Sequence, residues 1–115
     1  MPNERLYFGF FADTRSTWKA MADFTQEHFD DLDVLTRWIR CRFIEIQRID
    51  EEFVNIVGGG DVLLQASIIV DEEARLRKKT RNKAASAIAG HNVYGDAILV
   101  VLDEEHRCYP FKMRK

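Results

Sequence analysis

The chain has 115 residues, 46% hydrophobic and 31% charged, with a formal net charge of −2. That balance excludes a disordered polymer and supplies enough apolar material for one core without disulfides or a structural metal. No apolar run reaches the roughly 18 residues a membrane-crossing helix needs, and Met1-Pro2-Asn3-Glu4-Arg5 leads into an aromatic run rather than a signal-peptide core, so no membrane contact and a cytoplasmic location are expected.

The charge is unevenly placed. Residues 1–73 hold 7 basic and 15 acidic side chains, and residues 74–115 hold 10 basic and 4 acidic. Such polarity favours oriented association with a charged partner or head-to-tail with a second copy, and a homodimer through these surfaces or through a sheet edge is one expectation. Two cysteines, Cys41 and Cys108, are too few and too far apart for a disulfide framework and read as reduced thiols.

In chain order, Leu6 to Phe11 reads as a first strand with Leu6, Phe8 and Phe10 on one face. Asp13 to Ser16 supplies turn and capping chemistry for a helix carrying Trp18, Met21, Ala22 and Phe29. Asp30 or Asp31 caps a further helical piece, whose stripe is Leu32, Leu35, Trp38 and Ile39; the pattern leaves open whether these are two helices or one bent helix. Cys41 to Ile49 reads as a half-buried strand, paired in a hairpin with Phe53 to Val57 across Asp50-Glu51-Glu52.

Gly58-Gly59-Gly60-Asp61 reads as a loop. It lacks the Lys-Ser/Thr of a phosphate-binding loop and leads to a strand rather than a helix. Val62 to Val70 is almost wholly apolar, as expected of a central strand buried on both faces. Asp71-Glu72-Glu73 ends it. A short alanine-rich helix runs from Arg81 or Asn82 to Ala89 and stops at Gly90. Asp96 to Leu102 is a second central strand, and Cys108 to Met113 a final edge strand. The expected fold is a single α+β domain over residues 1–115, a mostly antiparallel sheet with two or three helices packed on one side.

Several residues invite chemistry. Arg75, Arg77, Lys78, Lys79, Arg81 and Lys83 are six cations in nine residues. They suit a solvated turn, a protein-contact patch or phosphate contacts, and an extended turn would point Arg75, Arg77 and Lys79 the same way. The neighbouring Asp71 to Glu73 weakens a phosphate-binding field, and no aromatic residue is interleaved for base stacking. His91 and Tyr94 fall in a loop marked by Asn92 and Gly95, where an amphipathic Tyr is either a contact or a corner-packing residue. His28, His91 and His106 lack metal-ligand spacing, and a Cys–His nucleophile has no local signature. Asp23, Glu27, Asp30, Asp31 and Asp33 read as a solvated acidic surface, and net −2 is too weak for a dedicated nucleic-acid mimic. No cofactor, metal or catalytic residue is expected.

From Asp71 to Val101 the pattern resembles a family of small domain-of-unknown-function proteins carried by phages, plasmids and their bacterial hosts. The residues that carry the likeness are Asp71-Glu72-Glu73, Leu76, Asn82 with Ala84 to Ala89, and Gly95-Asp96 before Ala97 to Val101, with Leu32 to Ile49 upstream. Lys78 to Arg81 and the stretch from Trp18 to Phe29 depart from it. The resemblance implies a fold and a mobile-element origin, and transfers no activity. The expected function is non-enzymatic binding of a host protein, a defence or regulatory component, or of itself, through Arg75, Arg77, Lys78, Lys79, Arg81, Lys83, His91 and Tyr94. The alternatives are a nucleic-acid-binding accessory protein using residues 75–83, and a small-molecule binder with a pocket near Gly58 to Asp61 and His91.

Overall fold

Two strands dominate the computed structural model, which describes residues 5–57 and 60–114. Strands β5 (Gln65–Asp71) and β6 (Ala97–Leu102) pair antiparallel, with Ile68 opposite Leu99 and Ile69 opposite Ile98. Nearly every residue of both is buried. Such continuous apolar runs fit a strand covered on both faces, because successive side chains point to opposite sides. Around them the sheet runs β2 (Lys19–Ala20), β1 (Phe10–Ala12), β6, β5, β3 (Ile44–Arg48), all antiparallel.

The α+β class and the antiparallel sheet are as expected, but the helices lie on both faces rather than one. Ile68, Val70, Leu99 and Val101 pack with Ala85 and Ile88 of α3 (Lys83–Ala89). Ile69, Ile98, Val100 and Leu102 pack instead with Leu35 and Ile39 of α2 (Leu32–Ile39). The alternation along each strand requires this, since a one-sided helical layer would leave half of those side chains in water. Burying each one stabilises the fold by about 2 kcal/mol.

Residues 18–29 depart from the helix expected there. The chain forms the short β2, and only Gln26–Phe29 are helical, as α1. Trp18 belongs to the core on the α3 side, whereas Met21 and Phe24 belong to the α2 side, so one helical face could not serve them. The question of one bent helix or two is thereby settled as two. Asp31 caps α2 by accepting from the Asp33 and Val34 amides.

The first strand also begins later than expected. Phe8 and Phe10 lie in opposite cores because the chain is irregular at Gly9, where an added Cβ would come within 2.8 Å of the Phe24 ring. Strand β5 begins at Gln65, so Val62 and Leu63 stay exposed.

The expected hairpin does not form. After β3 a 3-10 turn at Glu51–Phe53 redirects the chain, and β4 (Val54–Ile56) pairs with β7 (Phe111–Met113) in a separate two-stranded sheet. β3 pairs with β5, and buried Val54 and Phe111 complete the core on the α3 side. The start of the expected glycine loop, Gly58 and Gly59, lies outside the described residues.

Candidate functional site

The loop between β5 and α3 is tied down at its base. Asp71, the last residue of β5, accepts from the Glu73 amide through Oδ1 and holds the Lys79 ammonium 2.6 Å from Oδ2. Lys79 Nζ also donates to the Arg40 carbonyl oxygen at 2.7 Å. The Asp71 side chain is fully buried and that of Lys79 largely so. A buried carboxylate is tolerated only when paired and hydrogen-bonded, and both conditions are met here.

Arg40 is available for this because it ends α2 in the left-handed conformation (φ 60°), turning its carbonyl towards the loop. Its guanidinium reaches Asp96, with Nε 3.1 Å from Oδ2, and Asp96 is itself buried. The loop's far end is closed by backbone bonds from the Gly95 amide to the Thr80 carbonyl and from the Asn82 amide to the Val93 carbonyl. Gly95 has φ 80°, and a Cβ there would lie 2.9 Å from Lys79 Cδ. Only glycine gives both the turn and the passage of the lysine stem.

Asn82 completes the junction. Its Oδ1 caps α3 by accepting from the Ala85 amide, and its Nδ2 donates to the carbonyls of Ala12 and Gly95 at 3.0 and 2.9 Å. A side chain with no exposed surface thus joins β1, α3 and the start of β6. Residues 14, 40, 78–80 and 95–96 surround a cavity of about 380 Å3 above this junction, with Arg40, Lys78, Lys79 and Asp96 in its wall.

On this base the segment 75–78 projects as a hook. It is coiled, not extended: the Arg77 amide bonds the Glu73 carbonyl, the Lys78 amide the Arg75 carbonyl, and the Lys79 amide the Ala74 carbonyl. The expected alignment of Arg75, Arg77 and Lys79 is therefore broken. Lys79 turns inward, Arg75 lies 5.9 Å above the Tyr94 ring, and Arg77 and Lys78 face solvent. Among the described residues Arg75, Arg77 and Lys78 make no ion pair. Leu76 stands between them, 82% exposed.

The other expected contact residues divide. Arg81 Nε donates to Asn92 Oδ1 at 2.8 Å, and Arg81 bridges Tyr94 through the backbone, so both tie the loop to the start of β6. Tyr94 is half-buried under Arg75, which makes it a packing residue at the corner. Lys83 opens α3 and His91 lies near the Asn92 carbonyl, both exposed. Arg40, Asp96 and Asn82 are the residues that composition did not single out as site residues. Their only signal is a polar side chain at each end of an apolar element.

The histidines and thiols do not converge. His28 Nδ1 lies 2.9 Å from Thr25 Oγ1 at the start of α1, stacked against Phe24. His106 occupies the turn before β7 with φ 61°. Burial pushes both thiols up, Cys108 to about 12, which is the opposite of an activated nucleophile. Among the described residues no group of three or more His, Cys, Asp or Glu is placed to hold a metal ion, and no helix is long and apolar enough to cross a membrane. A second cleft of about 640 Å3 opens beside β3, lined by Ile46, Leu63, Leu102 and His106; neither Asp61 nor His91 lines it.

Comparison of the chain with protein-family models, with curated proteins and with solved structures finds no match.

Proposed function

We propose that this protein acts by binding another protein, with Arg75, Leu76, Arg77 and Lys78 as its recognition element. The observation that carries this reading is an anchored hook that holds an 82% exposed leucine among three cations that make no ion pair among the described residues. An exposed leucine gains nothing from water, whereas an apolar pocket rimmed by carboxylates would take the leucine and the cations together. The hook's fixed base lowers the ordering cost on association. The class of partner, a bacterial host protein that is a defence or regulatory component, is taken only from the mobile-element origin that the sequence pattern from Asp71 to Val101 led us to expect.

Nucleic acid is the competing occupant of the same cations. Leu76 offers a phosphate backbone nothing, and Tyr94 is covered by Arg75 instead of being free to stack. The test is affinity capture from nuclease-treated bacterial lysate, comparing the native chain with Leu76→Asp and with Arg77→Glu/Lys78→Glu. Lys79 is left intact because it belongs to the buried pair. A protein retained by the native chain and weakened roughly 10-fold or more by both variants, about 1.4 kcal/mol, supports the reading. Equal capture by all three removes the hook from it. Recovery of nucleic acid alone, without nuclease and with steep salt dependence, replaces it with the competing one.

A further inference from the structure

The two edges of the five-stranded sheet are built differently. β2 closes one side with only two residues, a common way of blunting an edge. β3 ends the other side with five residues in unbroken register against β5, from Ile44 opposite Asp71 to Arg48 opposite Ser67. It contains no proline or bulge, two of the devices that keep an edge from pairing, and its only charged residues are Glu45 and Arg48.

The direction of its free backbone groups follows from the ladder. The Glu72 amide bonds the Phe43 carbonyl and the Ile49 amide bonds the Ala66 carbonyl, so residues 43, 45, 47 and 49 face β5. The N–H and C=O groups of Ile44, Ile46 and Arg48 therefore point away from the sheet. Exposed apolar side chains gather at the same edge. Phe43 is 53% exposed and Ile46 45%, and Leu63 lines a cleft with Ile46.

We infer that β3 pairs antiparallel with β3 of a second copy of this chain, centred on Ile46, to give one continuous ten-stranded sheet. The centre is fixed by charge and by the length of strand that is paired. Ile46 has its polar groups outward, so two copies can exchange both backbone bonds there, and Ile44 then meets Arg48 of the second copy. On the opposite face Glu45 meets Gln47 of the second copy. Shifting the centre to residue 45 opposes two Glu45 carboxylates, and shifting it to 48 opposes two Arg48 guanidiniums. A centre at 44 or 47 leaves part of the five-residue strand without a strand partner, whereas a centre at 46 pairs all of it. Opposed like charges disfavour the centres at 45 and 48. The two-fold axis stands perpendicular to the sheet, so both hooks emerge on one face, one at each end of the seam. This interface goes beyond the proposed host-protein contact and uses none of the hook's cations.

Molar mass across a concentration series, by light scattering after size exclusion, is the test. The native chain is expected at twice 13.4 kDa. Ile46→Pro removes an outward N–H that the β5 ladder does not use, and is expected to give a monomer with unchanged circular dichroism. A second arm fixes the register without relying on that variant folding. Ile46→Cys is expected to form an intermolecular disulfide under mild oxidant, since directly opposed α-carbons lie about 5.5 Å apart. Ile44→Cys, which faces residue 48, is expected not to. A native chain that stays monomeric throughout, or a dimer in which the Ile44→Cys variant cross-links as readily as Ile46→Cys, overturns the proposal.

Discussion

Lys79 Nζ stands 2.6 Å from Asp71 Oδ2 and 2.7 Å from the Arg40 carbonyl oxygen, so one ammonium joins the end of β5 to the end of α2. Two elements on different layers thereby share a buried charge, and the loop that carries the exposed cations inherits its position from that contact. Lys79→Met removes the cation and leaves Asp71 buried without its partner. The expected loss is about 3 kcal/mol of unfolding free energy by urea titration, against less than about 0.5 kcal/mol for the exposed Lys78→Met. Equal effects from the two lysines would show that the pair does not hold the loop.

Asn82 performs two tasks that one substitution can separate. Asn82→Asp keeps an oxygen able to accept from the Ala85 amide but loses both donations, to the Ala12 and Gly95 carbonyls. If the bridge matters more than the cap, Asn82→Asp costs at least as much as Asn82→Ala, about 3 kcal/mol or more, because a buried carboxylate then faces two carbonyl oxygens. A mild Asp variant, close to native in thermal melting, would reduce Asn82 to a helix cap.

Gly95 and Gly90 both have positive φ, yet their alanine variants are expected to differ. Gly90 ends α3 with nothing within 4 Å of an added Cβ, so Gly90→Ala costs only the backbone strain, about 1 kcal/mol. At Gly95 the new methyl also meets Lys79 Cδ at 2.9 Å and must displace the lysine from Asp71. The larger loss is expected there, and a double variant Gly95→Ala/Lys79→Met should fall well short of the sum of the two single losses.

Cys108 gives the alkaline limb of stability a direction. Burial, with the Asp30 and Asp103 carboxylates adding, raises its thiol from the ordinary 9.0 to about 12. The folded chain therefore holds the thiol proton over a range in which the unfolded chain has lost it. The contribution is fully present below about pH 9 and is lost as pH rises towards 12. Cys108→Ala should flatten that decline in urea titrations between about pH 9 and 11. Alkylation of Cys108 at pH 8 should be slow in the native chain and fast after unfolding, and rapid native alkylation would contradict the burial.

Much of the fold is legible along the chain because its signals are local. The continuous apolar runs of β5 and β6, the Asp31 cap before Leu32, and Asn82 and Gly90 bracketing α3 each act within a few residues. The stretch from Trp18 to Phe29 misleads for the opposite reason. Its apolar spacing suits a helix, but Trp18 and Phe24 are drawn to cores on opposite faces of the sheet. Likewise, turn chemistry at Asp50 to Glu52 fits a hairpin equally well, and only the competition of β5 for the edge of β3 sends Val54–Ile56 to pair with Phe111–Met113.

The same division runs through the candidate site. Sequence alone located the cluster of cations at 75–83, since charge density is a property of neighbours in the chain. It could not say which of those cations is free to act, because pairing depends on what folds against them. The tertiary structure withdrew Lys79 into a buried pair with Asp71, committed Arg81 to Asn92, laid Arg75 over Tyr94, and left Arg77 and Lys78 in water beside Leu76. A cation's role is set by the carboxylate, carbonyl or ring that long-range packing brings to it, and none of those partners could be read from its place in the chain.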